Sequence, residues 1–133
     1  MTRHFQQLSA ALLLSAAAAI SLAADVAKPP KPTKELLDKG KAVYTVNCVL
    51  CHGEKGDGNG PAGVALNPKP RDFNKDPFKQ GTQPADVFKT VTAGVAGTTM
   101  VGWPQLSEED RWAVTYYVLE MLPKDKKKAP AKR

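Results

Sequence analysis

The sequence predicts a small all-α domain of three to five helices wrapped around a bound group. Three segments carry apolar residues at helical spacing, and no segment shows the alternation expected of a strand. The 133 residues suit one domain, but only 7% of them are aromatic, while 10 glycines and 11 prolines indicate long loops. A loop-rich chain with so little aromatic material needs something further to pack against, so we expect a bound group to complete its core.

Residues 1–23 have the pattern of a secretory signal peptide. A basic start at Arg3 precedes a run made almost wholly of Leu and Ala over residues 8–22, and small residues at Ser21 and Ala23 fit a cleavage site. We expect cleavage after Ala23; the alternatives are a retained membrane anchor or a buried Ala-rich helix. Whether it is cleaved or kept as an anchor, this segment directs the rest of the chain to the bacterial periplasm.

The flanks of the predicted domain are basic, whereas the domain itself is mildly acidic. Residues 24–33 form a Pro- and Lys-rich linker, and residues 123–133 form a disordered tail with six Lys or Arg against one Asp. Residues 35–122 hold nine basic and eleven acidic residues, so the domain lacks the basic face that nucleic-acid binding requires. The tail is a solubilising extension or a segment that steers an acidic partner.

Within the domain, residues 34–122, the first two helical patterns are short and have clear ends. The first covers residues 34–47 with Thr33 as its N-cap, and the second covers residues 86–93 with Gly94 placed to end it. The apolar positions are Leu36, Leu37, Gly40, Val43 and Tyr44 in the first helix and Val87, Phe88 and Val91 in the second.

The last helical pattern covers residues 107–122. Ser107, followed three residues later by Asp110, fits a capping box, and Pro123 ends the helix. Its apolar stripe consists of Val114, Tyr117, Val118 and Met121. The long stretch 53–83 has no periodicity, so we expect it to be loop.

Residues 48–52 carry the chemistry of the chain. Cys48 and Cys51, three residues apart at the end of a helix, face one side and can add to both vinyl groups of a haem. His52, directly after the second cysteine, can then reach under the porphyrin and bind the iron through an imidazole nitrogen. The pattern predicts one covalent haem c, attached by thioethers at Cys48 and Cys51, with His52 as an axial ligand of the iron.

Other uses of these cysteines fit the sequence less well. A thioredoxin-like redox couple needs a strand–helix–strand setting, which the sequence lacks. A structural zinc site needs four ligands, and only Cys48, Cys51 and His52 remain outside the signal segment. A local disulfide stays possible if haem is never attached.

The second axial ligand of the iron is expected to be Met100. This residue lies in residues 94–104, an aperiodic, Gly-flanked loop that can cover a flat face. A thioether ligand raises the reduction potential of haem iron. Met121 lies on the apolar stripe of the last helix, where we expect it to fill the core. If neither methionine binds, the iron is five-coordinate or takes a Lys or His.

The glycine-rich turn after His52 resembles two nucleotide- or metal-binding patterns only formally. Gly58, Gly60 and Gly63 match Gly-x-Gly-x-x-Gly, but no strand precedes them and Pro61 lies inside the motif. A calcium loop would need more acidic ligands. We expect a turn that passes close to a flat cofactor, where side chains would obstruct.

The Pro-rich stretch that follows offers secondary contacts to the same group. Leu66 is a candidate to pack on its ring. A carbonyl of this stretch is a candidate acceptor for the ring N–H of His52, with Pro61 and Pro68 as the two residues named for it. Arg71 is a candidate partner for a haem propionate, against the alternative of an ordinary surface arginine.

The order of these features resembles the bacterial class I cytochrome c family over residues 34–122. The resemblance implies a small all-α fold around one covalent haem, with the first and last helices crossing closely at a glycine. Gly40 and Tyr44, facing Tyr117, fit that crossing. Val101 follows Met100 where many relatives have proline. The family's roles carry over to Cys48, Cys51, His52 and Met100, and the Gly- and Pro-rich stretch is similar to periplasmic monohaem members of respiratory chains.

The resemblance implies an electron carrier, not an enzyme. We expect a monomer that exchanges electrons with donor and acceptor proteins, and membrane contact that is peripheral or made through an uncleaved signal anchor. One alternative is a haem subunit of a larger oxidoreductase complex. Another is an open-site ligand sensor or peroxidase-like protein; residues 94–104 contain no His, Arg or Glu, which argues against it.

Overall fold

A computed structural model describes residues 28–125, and these residues form an all-α fold. The elements are α1 (Lys34–Asn47), α2 (Val49–His52), a 3-10 turn (Gly63–Ala65), α3 (Pro84–Ala93) and α4 (Glu108–Met121). In this part of the chain the only β pairing is an isolated bridge between Gly94 and Val101. The all-α prediction is confirmed. The predicted signal peptide, the first residues of the linker and residues 126–133 of the tail lie outside the described residues.

The three predicted helices are present, and their ends have identifiable causes. The hydroxyl of Thr33 accepts a 3.2 Å hydrogen bond from the backbone of Leu36, and α1 has the predicted bounds. Helix α3 corresponds to the second predicted helix. It starts at Pro84, two residues before the predicted residue 86, because Gln83 caps it and proline suits the first turn. As predicted, Gly94 ends that helix, with a φ of 74°.

The start of α4 follows the predicted capping box. The hydroxyl of Ser107 accepts a hydrogen bond from the backbone of Asp110 at 3.0 Å and donates to its carboxylate at 2.7 Å. The ammonium of Lys39 on α1 lies 3.2 Å from the same carboxylate and 2.9 Å from Glu109. These contacts join the start of α4 to α1.

The helices α1 and α4 cross at Gly40. A Cβ atom at this position would lie 2.1 Å from the carbonyl oxygen of Ala113, so any side chain here would separate the two backbones. One turn further along, the rings of Tyr44 and Tyr117 pack with their centroids 5.3 Å apart. The close crossing that the resemblance implied is therefore present in the structure.

Helix α4 is buried on more sides than the predicted stripe. Trp112, Ala113, Thr115 and Tyr116 are buried in addition to Val114 and Val118. The indole of Trp112 stacks on Phe88 of α3 at 4.0 Å. The hydroxyl of Tyr116 donates to the carbonyl of Pro30 in the irregular segment before α1. The predicted apolar stripe accounts for one face of α4, whereas α3 and the segment before α1 cover other faces of this helix. No helix within residues 28–125 is long and apolar enough to cross a membrane.

Candidate haem site

One cavity brings together residues that lie far apart in the sequence. It has a volume of about 410 Å³ and is lined by Cys48, His52 and Met100, among others. Its apolar wall comes from α1, α3, α4 and the loops that follow α2. The wall comprises Tyr44, Phe73, Phe78, Val87, Val91, Val95, Val114 and Val118.

The short helix α2 presents Cys48 and His52 to this cavity. Cys48 ends α1 and immediately precedes α2, so the chain continues in helical conformation into His52. Gly53 then turns the backbone out of the helix with a φ of 75°. The carbonyl of Gly53 accepts a 2.8 Å hydrogen bond from the buried hydroxyl of Tyr44, which fastens the end of α2 to α1.

The glycine-rich turn packs against α2 and not against the cavity. A Cβ at Gly60 would lie 2.4 Å from the carbonyl oxygen of Leu50, and one at Gly63 would lie 2.0 Å from that of Cys51. Neither glycine lines the cavity. The expectation that these glycines make room for a flat cofactor was wrong: they make room for the backbone of the helix that carries the cysteines.

The two cysteines are free thiols in different surroundings. Cys48 lines the cavity, whereas Cys51, one turn further, does not. Burial, and next the nearby Cys51, raise the pKa of the Cys48 thiol to about 12. Dithiol redox centres depend on a lowered thiol pKa, so this environment disfavours a thioredoxin-like couple. Within residues 28–125, no group of three His, Cys, Asp or Glu side chains is arranged to hold a metal ion.

His52 is held in an apolar setting. Its ring stacks on Phe73 with the centroids 4.7 Å apart, and its buried Nδ1 has no hydrogen-bond partner of regular geometry. Burial lowers the pKa of His52, and hydrogen bonding with the backbone of Arg71 opposes that shift. A backbone partner from the Pro-rich stretch is thus present as expected, but it is Arg71 and neither of the two named candidates, Pro61 and Pro68.

Met100 reaches the cavity on a loop stabilised by its own backbone. The carbonyl of Met100 accepts a 2.9 Å hydrogen bond from the N–H of Val95, and the N–H of Met100 donates to the hydroxyl of Thr98 at 3.0 Å. Met121 is not among the lining residues, and its sulfur packs close to Gly56. The structure therefore distinguishes the two methionines as the sequence analysis expected.

The polar part of the cavity lies near Arg71. The guanidinium of Arg71 donates to the carbonyl of Pro77 and lies 5.4 Å from the centre of the Phe78 ring. Lys69, Lys79 and the acidic Asp76 also line the cavity, and the ammonium of Lys69 donates to the side-chain oxygen of Asn59 at 2.7 Å. Leu66, expected to pack on the bound group, is not a lining residue.

These residues fit a haem. The cavity combines apolar walls with an imidazole whose Nδ1 is buried, a thioether, a thiol and the guanidinium of Arg71, which suits a carboxylate. Sequence reasoning missed Phe73, Phe78 and the contribution of Val114 and Val118 to the wall. Both phenylalanines lie in the aperiodic stretch after the Pro-rich residues, where no local pattern marked them.

Comparisons with known proteins show the family of this chain. Residues 35–118 match the family described as cytochrome c oxidase, cbb3-type, subunit III. The cbb3-type cytochrome c oxidase subunit FixP of Azorhizobium caulinodans is 31% identical over 80 residues, which cover 60% of this chain and 25% of FixP. The chain thus spans about a quarter of the length of that relative.

A solved structure gives the same fold. It is the Kuenenia stuttgartiensis reducing HAO-like protein complex Kustc0457/Kustc0458, which matches with a TM-score of 0.68 and 35% identity. The match covers 74% of this chain and 49% of the other. The family match spans well over half of the chain. The chain therefore belongs to the family described as cytochrome c oxidase, cbb3-type, subunit III, and is a bacterial c-type cytochrome with covalently bound haem c.

Proposed function

We propose that this protein is a periplasmic one-electron carrier. Cys48 and Cys51 hold the haem by thioethers, and His52 and Met100 are the two axial ligands of its iron. The observation that supports the assignment is that His52 and Met100, from separate loops and helices, line one cavity together with Cys48. Residues 1–23 supply the export signal under this proposal.

The bound haem supplies one-electron chemistry, with its iron alternating between the ferrous and ferric states. The chain's own residues set the conditions for that exchange. With haem bound, His52 and Met100 would leave no open position for a substrate, and the valines of α3 and α4 that line the cavity would exclude water from it. The apolar wall and the thioether of Met100 favour the ferrous state and so raise the reduction potential.

Arg71 and its basic neighbours are proposed to hold the haem propionates. Lys69, Arg71 and Lys79 line one part of the cavity, where a charged carboxylate would otherwise be buried without a partner. The guanidinium of Arg71 donates to the carbonyl of Pro77 and packs over the ring of Phe78. These two contacts hold it in place for a bidentate contact with a propionate.

A second candidate role is that of a haem subunit fixed in a larger oxidoreductase complex. Three large apolar side chains are exposed around α2: Val46 by 81%, Leu50 by 62% and Val64 by 60%. Exposed apolar surface of this kind suits a lasting protein contact. FixP is by name a subunit of an oxidase. Both roles use the same haem chemistry and differ in whether the protein leaves its partner.

A redox titration of the purified, exported protein tests the proposed function. We expect a single reversible one-electron transition, and no change in the spectrum of the reduced protein on adding carbon monoxide, because both axial positions are filled. Binding of carbon monoxide by the native protein would support the open-site reading and contradict the assignment of Met100. Recovery from the native membrane as a stable complex with other redox subunits would favour the second role over a diffusing carrier.

A further inference from the structure

The aromatic ring of Phe73 lies flat against the imidazole of His52. Their centroids are 4.7 Å apart and their planes are inclined by 23°. Phe73 is only 6% exposed, so this contact is shielded from water. Nδ1 of His52, the atom through which a hydrogen bond would fix the rotation of the ring, has no partner of regular geometry. The aromatic contact therefore restrains the plane of the imidazole together with the backbone of Arg71, which hydrogen-bonds to the same ring.

Phe73 is held in place independently of His52. Its backbone N–H donates a 2.7 Å hydrogen bond to the carbonyl of Gly56. Gly56 has a φ of 65°, and a Cβ there would lie 2.6 Å from Cδ2 of Phe73 and 2.9 Å from the sulfur of Met121, so a side chain at Gly56 would displace the ring. Phe78 packs on Phe73 at 5.7 Å. Because backbone and neighbours fix Phe73, its ring can impose an orientation on His52.

We propose that Phe73 is a positioning residue that, together with the backbone of Arg71, sets the plane of the His52 imidazole. The inference rests on the proposed function, in which His52 binds the haem iron. The orientation of an axial imidazole determines how its orbitals overlap with those of the iron, and its surroundings tune the reduction potential. An apolar ring against one face of the imidazole keeps water away and disfavours the additional positive charge of the ferric state.

Variants at Phe73 separate this role from simple core filling. Phe73→Leu and Phe73→Met keep an apolar side chain but remove the ring, whereas Phe73→Tyr keeps the ring. Phe88→Leu is the matched control, since Phe88 stacks on Trp112 at 4.0 Å and does not line the cavity. The readouts are the haem-methyl hyperfine shifts in the proton NMR spectrum of the ferric protein, which report the imidazole plane, and the reduction potential.

We expect Phe73→Leu and Phe73→Met to change the spread or order of the methyl shifts and to lower the potential. Phe73→Tyr and Phe88→Leu should match the wild type in the methyl shifts. Loss of the ring without any change in methyl shifts or potential would overturn the proposal and leave Phe73 as an ordinary core residue.

A measurement on the wild type keeps the proposal testable if the variants lose haem. In the reduced, diamagnetic protein, we expect nuclear Overhauser effects between the ring protons of His52 and Phe73. Their absence, with the His52 protons shifted strongly upfield by the haem ring current, would overturn the inference while upholding His52 as a ligand. A wild-type spectrum without ring-current-shifted His52 protons would contradict the proposed function itself.

Discussion

The hydroxyl of Tyr44 donates a 2.8 Å hydrogen bond to the carbonyl of Gly53, and both groups are buried. Tyr44 lies on α1, where it packs against Tyr117 of α4, and Gly53 directly follows His52. One hydrogen bond thus ties the helix crossing to the end of the segment that carries the cysteines and the histidine. Burial also raises the pKa of Tyr44 well above its usual value, so the hydroxyl stays protonated as a donor.

Tyr44→Phe should lower the free energy of unfolding by about 0.5–1.5 kcal/mol, because it removes one of the two hydrogen bonds that the carbonyl of Gly53 accepts, the other coming from the N–H of Gly56 at 3.1 Å. Denaturant unfolding, followed by haem absorbance, measures the change. Tyr117→Phe is the control, since it removes a hydroxyl from the partner ring and leaves the Tyr44–Gly53 bond intact. If Tyr44→Phe and Tyr117→Phe lower the free energy of unfolding equally, the Tyr44–Gly53 hydrogen bond contributes little to stability.

Gly40→Ala should destabilise the fold by at least about 3 kcal/mol, at the upper end of overpacking effects, since its Cβ would meet the backbone of Ala113 at 2.1 Å. Thermal or denaturant unfolding gives the value. Gly97→Ala serves for comparison: it adds a methyl in open space at a φ of 75°, so we expect backbone strain of about 1 kcal/mol. A Gly40 variant as stable as the Gly97 variant would contradict the close helix crossing.

Met100→Ala should open the second axial position of the iron. We expect loss of the weak far-red band of the ferric protein, a lower reduction potential and new binding of carbon monoxide by the reduced form. Met121→Leu should retain the wild-type spectrum, because Met121 does not line the cavity. If the far-red band survives in Met100→Ala and disappears in Met121→Leu, the two methionines have been assigned the wrong way round.

Replacing both cysteines, Cys48→Ser with Cys51→Ser, should prevent covalent attachment of haem and abolish stable folding. The aromatic content of the chain is low, so apolar burial by the polypeptide alone contributes little stability to a domain of this size. Circular dichroism during denaturant titration is the measurement. A cooperative transition of the haem-free double variant would contradict this expectation.

The start of α4 should contribute to stability in a pH-dependent way. The hydrogen bond from Ser107, together with the nearby ammonium of Lys39, holds the pKa of Asp110 below its usual value. A carboxyl whose pKa is lowered by folding stabilises the fold fully above its unfolded pKa, near 4, and loses that contribution as the pH falls through the lower folded value.

Asp110→Asn should therefore reduce stability at pH 7 by about 0.5 kcal/mol, a small effect because solvent screens the pair. The loss of stability between about pH 5 and pH 2 should be correspondingly shallower than in the wild type. Unfolding curves across this range provide the test, with Asp125→Asn at the exposed end of the described chain as control. If the free energy of unfolding falls equally steeply with pH in the wild type and in Asp110→Asn, Asp110 does not cause the acid sensitivity.

The sequence predicted those parts of the structure that depend on local pattern. Helix α1 and the caps at Thr33 and Ser107 follow from apolar spacing and short polar side chains, and the structure confirms them. The motif at residues 48–52 indicated the chemistry, and the family comparison confirms a c-type cytochrome. The structure places Met100 in the same cavity as His52, while its bond to the iron stays a prediction.

What the sequence missed depends on contacts between distant, aperiodic segments. The loop that carries Phe73 has no periodicity, so nothing in its local pattern showed that its ring would stack on His52. Gly60 and Gly63 indicated that another group packs closely against the turn, but the sequence did not show which group. In the structure it is the backbone of α2. The second buried side of α4 arises because Phe88 and Pro30 reach it from elsewhere in the chain.

The most direct test of the central claim is the visible spectrum of the exported, purified protein, before and after dithionite and again after acid–organic extraction. The account predicts sharp bands in the reduced protein, haem that stays with the polypeptide on extraction, and a far-red ferric band from the Met100–iron bond. Haem that is extracted, or a colourless protein, would contradict the attachment at Cys48 and Cys51 and with it the proposed function.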